Sequence, residues 1–515
     1  MKHIKTILAA AALLVISCTK TLEPDYPAEQ PAAEDITVVC TGGNPYSLEN
    51  MRAALEALCG SGSGLEANML YVRFLPKDST DLDLLEELEL FDHPLTDECD
   101  ALRSGGTVAE LGWQYAAVPV DYSFPAGLEC EVLDECYLPD STPGTRAAGS
   151  VSAEDLERAA IARATGTPAT KAMAPLSPRG SVMIESPSGN VPVKGIKVRC
   201  NYFLRTAVTY TDEQGNFSFG TSFLNKPSVS IVFSNKKDFT IWDGLLVVGG
   251  ASRSCGKYTG GSMNVSLKPD TAPWSWAVIN NAAYDYICAC EKGGLPLPPS
   301  RLKIMVFSGG NDAASCAPML RRLPSVKLDT NSGLLNIIGS VVTVPVSAVA
   351  LFLMKAALPD LIFCPGWMCS KGSYRQLYYH AWHEMAHTSH YSVAGNKYWV
   401  DFASHIMTHF DYGKKSDVNA DVIDLGESWA NAYENYAYYV ANSSRYFAIY
   451  GFSCGAEFNI KPLSDLMEDG IITPAQMLNC MTNEVRSVPQ LCGALQSAYP
   501  ASAGKIRDVI GNYKI

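Results

Sequence analysis

Histidine is scarce in this chain, 8 residues in 515, so any stretch that concentrates it needs an explanation. Basic residues are also in deficit. The 40 lysines and arginines stand against 53 aspartates and glutamates, a net charge of −13, and such a chain lacks the positive field that phosphate binding needs; no nucleic-acid partner is expected. The 16 cysteines contain no CxxC pair, and the closest, Cys288 with Cys290 and Cys364 with Cys369, have the wrong spacing for a thiolate zinc site. Long apolar runs are few. One, Leu334 to Met354, is long enough to span a bilayer, but Asn336, Ser340, Thr343, Pro345 and Ser347 interrupt it, so it reads as buried core elements broken near Pro345.

The other apolar run lies at the N-terminus, where Lys2 and Lys5 precede Ile7 to Ile16 and Val15-Ile16-Ser17 stands directly before Cys18. This is the pattern of a lipoprotein signal, residues 1–17, with Cys18 as the lipidated residue. A Pro-, Ala- and acid-rich tether follows over 18–35. The expectation is an exported lipoprotein held to a membrane, the outer membrane, through lipid on Cys18, with the periplasmic or surface side left open. Export permits disulfides, but the fifteen cysteines other than Cys18 cannot all pair within the chain.

The remaining chain is too long for one core and changes texture several times. Residues 36–138 alternate strand-like runs, "MLYVRFLP" and "WQYAAVPVDYSFP", with a helix starting near Ser47, and read as an α+β module. The acidic run "DLDLLEELELFD" within it reads as a solvated helix face. Residues 139–179 read as a linker holding one short helix capped by Ser152. Over 180–270 short strands alternate with Gly, Pro, Asn and Asp turns. There "PVKGIKV" and the turn Thr211-Asp212…Gly215…Phe217 resemble the transthyretin-like, carboxypeptidase-regulatory type of β-sandwich, in which that turn closes a hairpin over a buried aromatic. Residues 271–515 turn mainly helical around two short strands, "RLKIMVF" and "LPDLIFCP".

In this last region "YYHAWHEMAHTSHY", residues 378–391, holds four of the eight histidines. No proline or glycine interrupts 374–394, and the apolar residues recur at helical spacing, so one helix is predicted. On it His383 and His387 lie one turn apart and Glu384 lies beside them. This HExxH string lets two imidazoles meet one zinc ion while the glutamate serves as general base, Glu384 being the catalytic residue. His380 and His390 share the face, but ligands seven residues apart are separated by about 10 Å along the axis, too far for one ion. They are left as groups that support the ligands, contact substrate, or simply lie on the surface.

A third ligand must come from elsewhere. "DLGESWANAYENYAYYV", residues 424–440, reads as a helix carrying Glu427 and Glu434 two turns apart, so either can face the histidine helix but both cannot reach one ion. HExxH followed by Glu427-Ser428-Trp429-Ala430…Tyr433 resembles the gluzincin metallopeptidases. The wider layout resembles a family of uncharacterised zinc-binding metallopeptidase lipoproteins with a transthyretin-like sandwich. The resemblance implies one zinc per chain, held by His383, His387 and Glu427, in a zincin-like domain. Two departures stand out: the gap from His387 to Glu427 is long, and the exopeptidase motif GxMEN is absent, since "GSMNV" at 261–265 lacks the glutamate. Tyr433, Tyr436, His405 and His409 are candidates for oxyanion or substrate contact, with His390 a further substrate-contact candidate, and His405 and His409 also have the spacing of a second metal-binding pair.

The expected protein is therefore multidomain: an N-terminal α+β module, a β-sandwich, and a mainly α zincin-like domain with a small sheet. Its expected activity is hydrolysis of peptide bonds in extracytoplasmic proteins, peptides or glycoproteins. The competing expectation is a non-catalytic surface lipoprotein that binds a protein or glycan and carries a vestigial metallopeptidase domain.

Overall fold

Ser47, Gly60, Ser152 and Gly166 punctuate the N-terminal part of the chain as cap residues should. In the computed structural model, which describes residues 43–60, 64–76, 81, 84, 85, 87–96, 112–139, 146–148, 151–166, 175–243, 250–307, 313–323, 359–409, 412–445, 451 and 454–513, helix α1 (Leu48–Cys59) begins with Ser47 Oγ accepting from Asn50 N and ends at Gly60 with φ 77°. The signal and tether, Cys18, and the apolar run Leu334 to Met354 lie outside the described residues. Strands β1 (Met69–Leu75), β2 (Gln114–Pro119) and β3 (Glu129–Cys136) form an antiparallel sheet in the order β2-β1-β3. The short strands β4 (Arg146–Ala148) and β5 (Val151–Ser152) lead into helix α2 (Ala153–Thr165), whose N-cap is Ser152. Leu156 and Ala160 of α2 pack with Leu48, Met51 and Leu55 of α1 in one small core. The expected linker therefore contains a helix that is part of a packed unit.

That helix is also tied to the next region. Glu157 of α2 is buried, and it accepts from Arg205 Nε at 2.6 Å, Arg205 Nη2 at 2.9 Å and Tyr46 Oη at 2.6 Å. Glu89, in the acidic run expected to face solvent, instead meets Lys197 at 3.0 Å and Arg199 at 3.4 Å.

The middle of the chain is strand-rich: β6 (Arg179–Ser186), β7 (Gly189–Pro192), β8 (Ile196–Tyr202), β9 (Arg205–Tyr210), β10 (Asn216–Ser218), β11 (Ser228–Asn235), β12 (Phe239–Asp243), β13 (Ser252–Lys257) and β14 (Met263–Leu267). β10-β6-β14 with β7 make a four-stranded sheet, and β9, β8, β11, β13 and β12 belong to an eight-stranded one. The Thr211–Phe217 turn forms as its residues require: Asp212 Oδ1 accepts from Gln214 N and Asn216 N at 2.9 and 2.8 Å, Gly215 takes φ 75°, and Phe217 is buried. It closes no hairpin, however. β9 and β10 lie in different sheets, so the turn carries the chain from one to the other.

Beyond residue 270 helices dominate. α3 (Ala272–Gly293) is buried over most of its circumference and stops at Gly294 with φ 66°. Strands β15 (Leu302–Val306), β16 (Ala314–Cys316) and β17 (Leu361–Cys364) then extend the large sheet. β15 pairs in parallel with β12, so one sheet runs across the boundary expected at 270. Its order is β16-β17-β15-β12-β11-β8-β9, with β16 antiparallel to β17 at one edge. α4 (Tyr374–His409) is interrupted at Gly395, φ 72° and ψ −175°, so the uninterrupted first part covers the predicted 374–394. α5 (Ala420–Asn442) packs on it, α6 (Ile460–Glu468) packs on α5, and α7 (Pro474–Asn479), α8 (Val488–Ala498) and α9 (Ala503–Gly511) complete the chain. The protein is multidomain, with sheets in its middle and a helical C-terminal region. Among the described residues no helix is long and apolar enough to cross a membrane.

The Arg205–Glu157 pair joins α2 to β9 across a water-poor contact, with side chains only 5% and 8% exposed. Arg205→Met leaves the buried Glu157 carboxylate without its cationic partner, with Tyr46 Oη still donating to it, and should cost about 3–5 kcal/mol in urea denaturation; a loss below about 1 kcal/mol would show that the pair does not bear on stability.

Candidate metal centre

The first part of α4 is amphipathic in an unusual sense: its inner face is partly polar. Leu377, Ala381, Met385 and Ala386 are buried apolar residues, while His383, Glu384 and His387 are buried beside them at 7%, 3% and 2% exposure. Burying three ionisable groups together is costly unless they are paired or bind an ion. Each of the three offers one ligand atom, and these atoms lie within 4.8 Å of one another, so the group could hold a metal ion.

α5 supplies the complement. Its residue before the glutamate is Gly426, where a Cβ would come within 2.6 Å of the Phe402 ring, so the absent side chain lets α5 approach the second part of α4. Trp429 Nε1 donates to the Ala386 carbonyl at 3.1 Å, and Tyr398 Oη donates to the Val422 carbonyl at 2.7 Å. Asp424 anchors the far side, accepting from Asn459 N at 3.0 Å, Asn459 Nδ2 at 2.6 Å and Ser428 Oγ at 2.9 Å.

These contacts set Glu427 against both histidines. His383 Nε2 and His387 Nε2 are 3.1 Å apart; Glu427 Oε2 is 3.5 Å from the first and Glu427 Oε1 is 3.4 Å from the second. Glu434 goes elsewhere, its Oε2 lying 3.6 Å from His383 Nδ1. The two glutamates, two turns apart on α5, thus take opposite nitrogens of one imidazole. Glu427 shares the histidines' Nε2 side, and Glu434 backs His383 from behind, as carboxylates commonly do for metal-bound histidine.

Three comparisons with known proteins return no match: no family model matches the chain, no curated protein does, and no solved structure does.

Charges in the centre are strongly coupled. Burial disfavours a charged His383, but Glu427, Glu384 and Glu434 outweigh it and raise the pKa to about 9. Burial also works against the Glu427 carboxylate, yet His387 and His383 hold it well below the usual range. Glu434 is pushed up to about 7 by burial, with His383 opposing the shift. Burial raises Glu384 too, against the pull of His383, His387 and Ser315. Among the described residues, buried Glu384 Oε2, Glu427 Oε2 and His387 Nδ1 have no hydrogen-bond partner, a state that favours a ligand.

The remaining expected residues separate. His390 is fully buried rather than at the surface, packed against Tyr398 and Trp399 at ring distances of 4.7 and 5.4 Å, and burial holds its pKa well below normal. It is not placed to contact a substrate. His380 is partly exposed, and its Nε2 lies 2.5 Å from Ser315 Oγ. His405 and His409 do cluster with Asp417 as a second possible metal group. Both ring nitrogens of His405, however, face carbonyl oxygens, Val418 at 2.8 Å and Tyr412 at 3.0 Å, so the ring is held between two backbone acceptors with which an ion or an oxyanion would compete. Tyr433 stacks on Trp429 and touches Tyr286 and Trp382 in a buried aromatic cluster, and the partly buried Tyr436 stacks on Tyr433. Sequence reasoning missed Ser315, whose Oγ lies 2.5 Å from Glu384 Oε1. Nothing in its neighbourhood, Ala314-Ser315-Cys316, marks it.

A proton on His383 must leave before its nitrogen can bind a metal. With a pKa of about 9, zinc binding at pH 7.5 should release about one proton per ion, read from the dependence of calorimetric enthalpy on buffer ionisation heat. Enthalpies independent of buffer would contradict this. In the same titration Glu434→Gln should weaken binding about 10- to 100-fold, and Glu427→Ala should weaken it more; the reverse order would exchange the roles of the two glutamates.

Proposed function

We propose that this protein is a zinc-dependent hydrolase of peptide bonds, a lipid-anchored metallopeptidase of extracytoplasmic proteins, peptides or glycoproteins. The observation that carries the reading is the donor triangle of His383 Nε2, His387 Nε2 and the Glu427 carboxylate, with contacts of 3.1, 3.4 and 3.5 Å. A tetrahedral ion with bonds of about 2.0–2.1 Å spaces its ligands about 3.3–3.4 Å apart, so the donor set fits zinc, and two nitrogens with one carboxylate leave the fourth position open. Support for the anchor comes from the N-terminal residues ending at Cys18. In the same reading the paired sheets form the transthyretin-like sandwich, and the helices with the β15–β17 end of the large sheet form the zincin-like part.

A zinc ion held there supplies Lewis acidity, polarising a carbonyl and making water easier to deprotonate. Glu384 supplies the proton traffic. One of its oxygens is held by Ser315 and the other is unpartnered, so the free oxygen can take a proton from water and pass it to the leaving amine. Burial, by raising the Glu384 pKa, makes it a better base. His383, His387 and Glu427 hold the ion, and Glu434 keeps the His383 ring oriented. The aromatic wall of Tyr286, Trp382 and Tyr433 holds α3, α4 and α5 together beside the site.

Glu384→Gln separates binding from chemistry. It should keep its zinc by elemental analysis while kcat on an unstructured protein such as casein falls about 10²- to 10⁴-fold. Wild-type turnover by this variant would overturn the mechanism. A zinc-loaded wild type inert to casein and to a broad peptide library would favour the binding-protein alternative.

A further inference from the structure

The hydroxyl of Ser315 lies between two groups of α4. Its Oγ is 2.5 Å from His380 Nε2 and 2.5 Å from Glu384 Oε1. His380 and Glu384 are four residues apart, one turn, so one side chain delivered from the sheet can reach both. Ser315 is carried by β16, the edge strand, directly opposite Phe363 of β17. Phe363 in turn sets its ring edge-on to His380, 6.5 Å between centroids, which confines the imidazole from the same side.

A serine hydroxyl has one proton to give. The hydroxyl donates to Glu384 Oε1, so the His380 nitrogen on the other side must donate to the serine oxygen. The chain then has one direction: His380 Nε2–H to Ser315 Oγ, and Ser315 Oγ–H to Glu384 Oε1. The two Glu384 oxygens become inequivalent, since Oε1 is held and buried Oε2 has no partner.

We infer that Ser315 is a positioning residue which, backed by His380, locks the Glu384 carboxylate so that Oε2 alone is presented for proton transfer. The hydrogen-bond chain stands independently of the peptidase reading; its kinetic consequence rests on that reading.

The test uses the full-length protein with ¹⁵N-labelled histidine, in wild type, Ser315→Ala and Ser315→Thr, with His380→Gln to identify the His380 signals. Wild type and Ser315→Thr should show His380 as the Nε2–H tautomer with a proton protected from exchange, and Ser315→Ala should lose that protection. A His380 signal that Ser315→Ala leaves unchanged, or an Nδ1–H tautomer in wild type, would overturn the inference. The kinetic arm follows kcat, KM and the pH profile on casein. Ser315→Ala should lower kcat about 10-fold or more at unchanged KM, a loss typical when a group supporting a site residue is removed, and shift the acidic limb of the profile, with Ser315→Thr restoring both. A kcat within twofold of wild type and an unshifted profile would likewise overturn it. If wild type has no hydrolytic activity, the proposed function fails while the tautomer measurement still decides the hydrogen-bond chain.

Discussion

Bringing two imidazoles and a carboxylate within 3.5 Å of one another inside a protein is the constraint on which the C-terminal half depends. Each charged group removed from water costs several kcal/mol, so the arrangement survives only if the surrounding packing prevents the side chains from turning away. That packing is specific. Gly426 admits Phe402, Trp429 bonds to the backbone of α4 beside His387, Tyr398 bonds to the start of α5, and Asp424 fastens α5 to the segment before α6. The large sheet completes the frame by placing β16 next to the same helix, and Trp399 Nε1 ties α4 back to it through the Ala317 carbonyl at 3.0 Å.

The break at Gly395 explains why four histidines on one face meet different fates. The chain continues past the break, and Tyr398 and Trp399 cover His390, while Trp399 and Phe402 also close over His387. His390 becomes a core residue with neither nitrogen satisfied, and His380, at the other end, meets the sheet. Helical spacing places four imidazoles on a stripe, but it does not say what packs over each end of it.

The sequence made local facts legible. Caps at Ser47 and Ser152, the helix over 374–394 and the pairing of His383 with His387 and Glu384 follow from periodicity and side-chain chemistry within one element. The choice between Glu427 and Glu434 was narrowed to two by a two-turn spacing, but their division between Nε2 and Nδ1 of one ring is set by how α5 lies on α4. Non-local facts were not legible. Ser315 is 69 positions from Glu384 and carries no motif. The parallel pairing of β12 with β15 joins strands on either side of a composition boundary, and the acid–turn motif at Asp212 reads the same whether it joins strands of one sheet or two. Glu89 reads as a surface acid because its partners, Lys197 and Arg199, come from another region.

The central claim is that His383, His387 and Glu427 hold one zinc ion. The most direct measurement is anomalous diffraction at the zinc edge from crystals of the protein grown with zinc. The account predicts a single peak about 2.0–2.2 Å from the Nε2 atoms of His383 and His387 and from a carboxylate oxygen of Glu427. A peak at His405, His409 and Asp417 instead, or no peak between the two ligand helices, would contradict it.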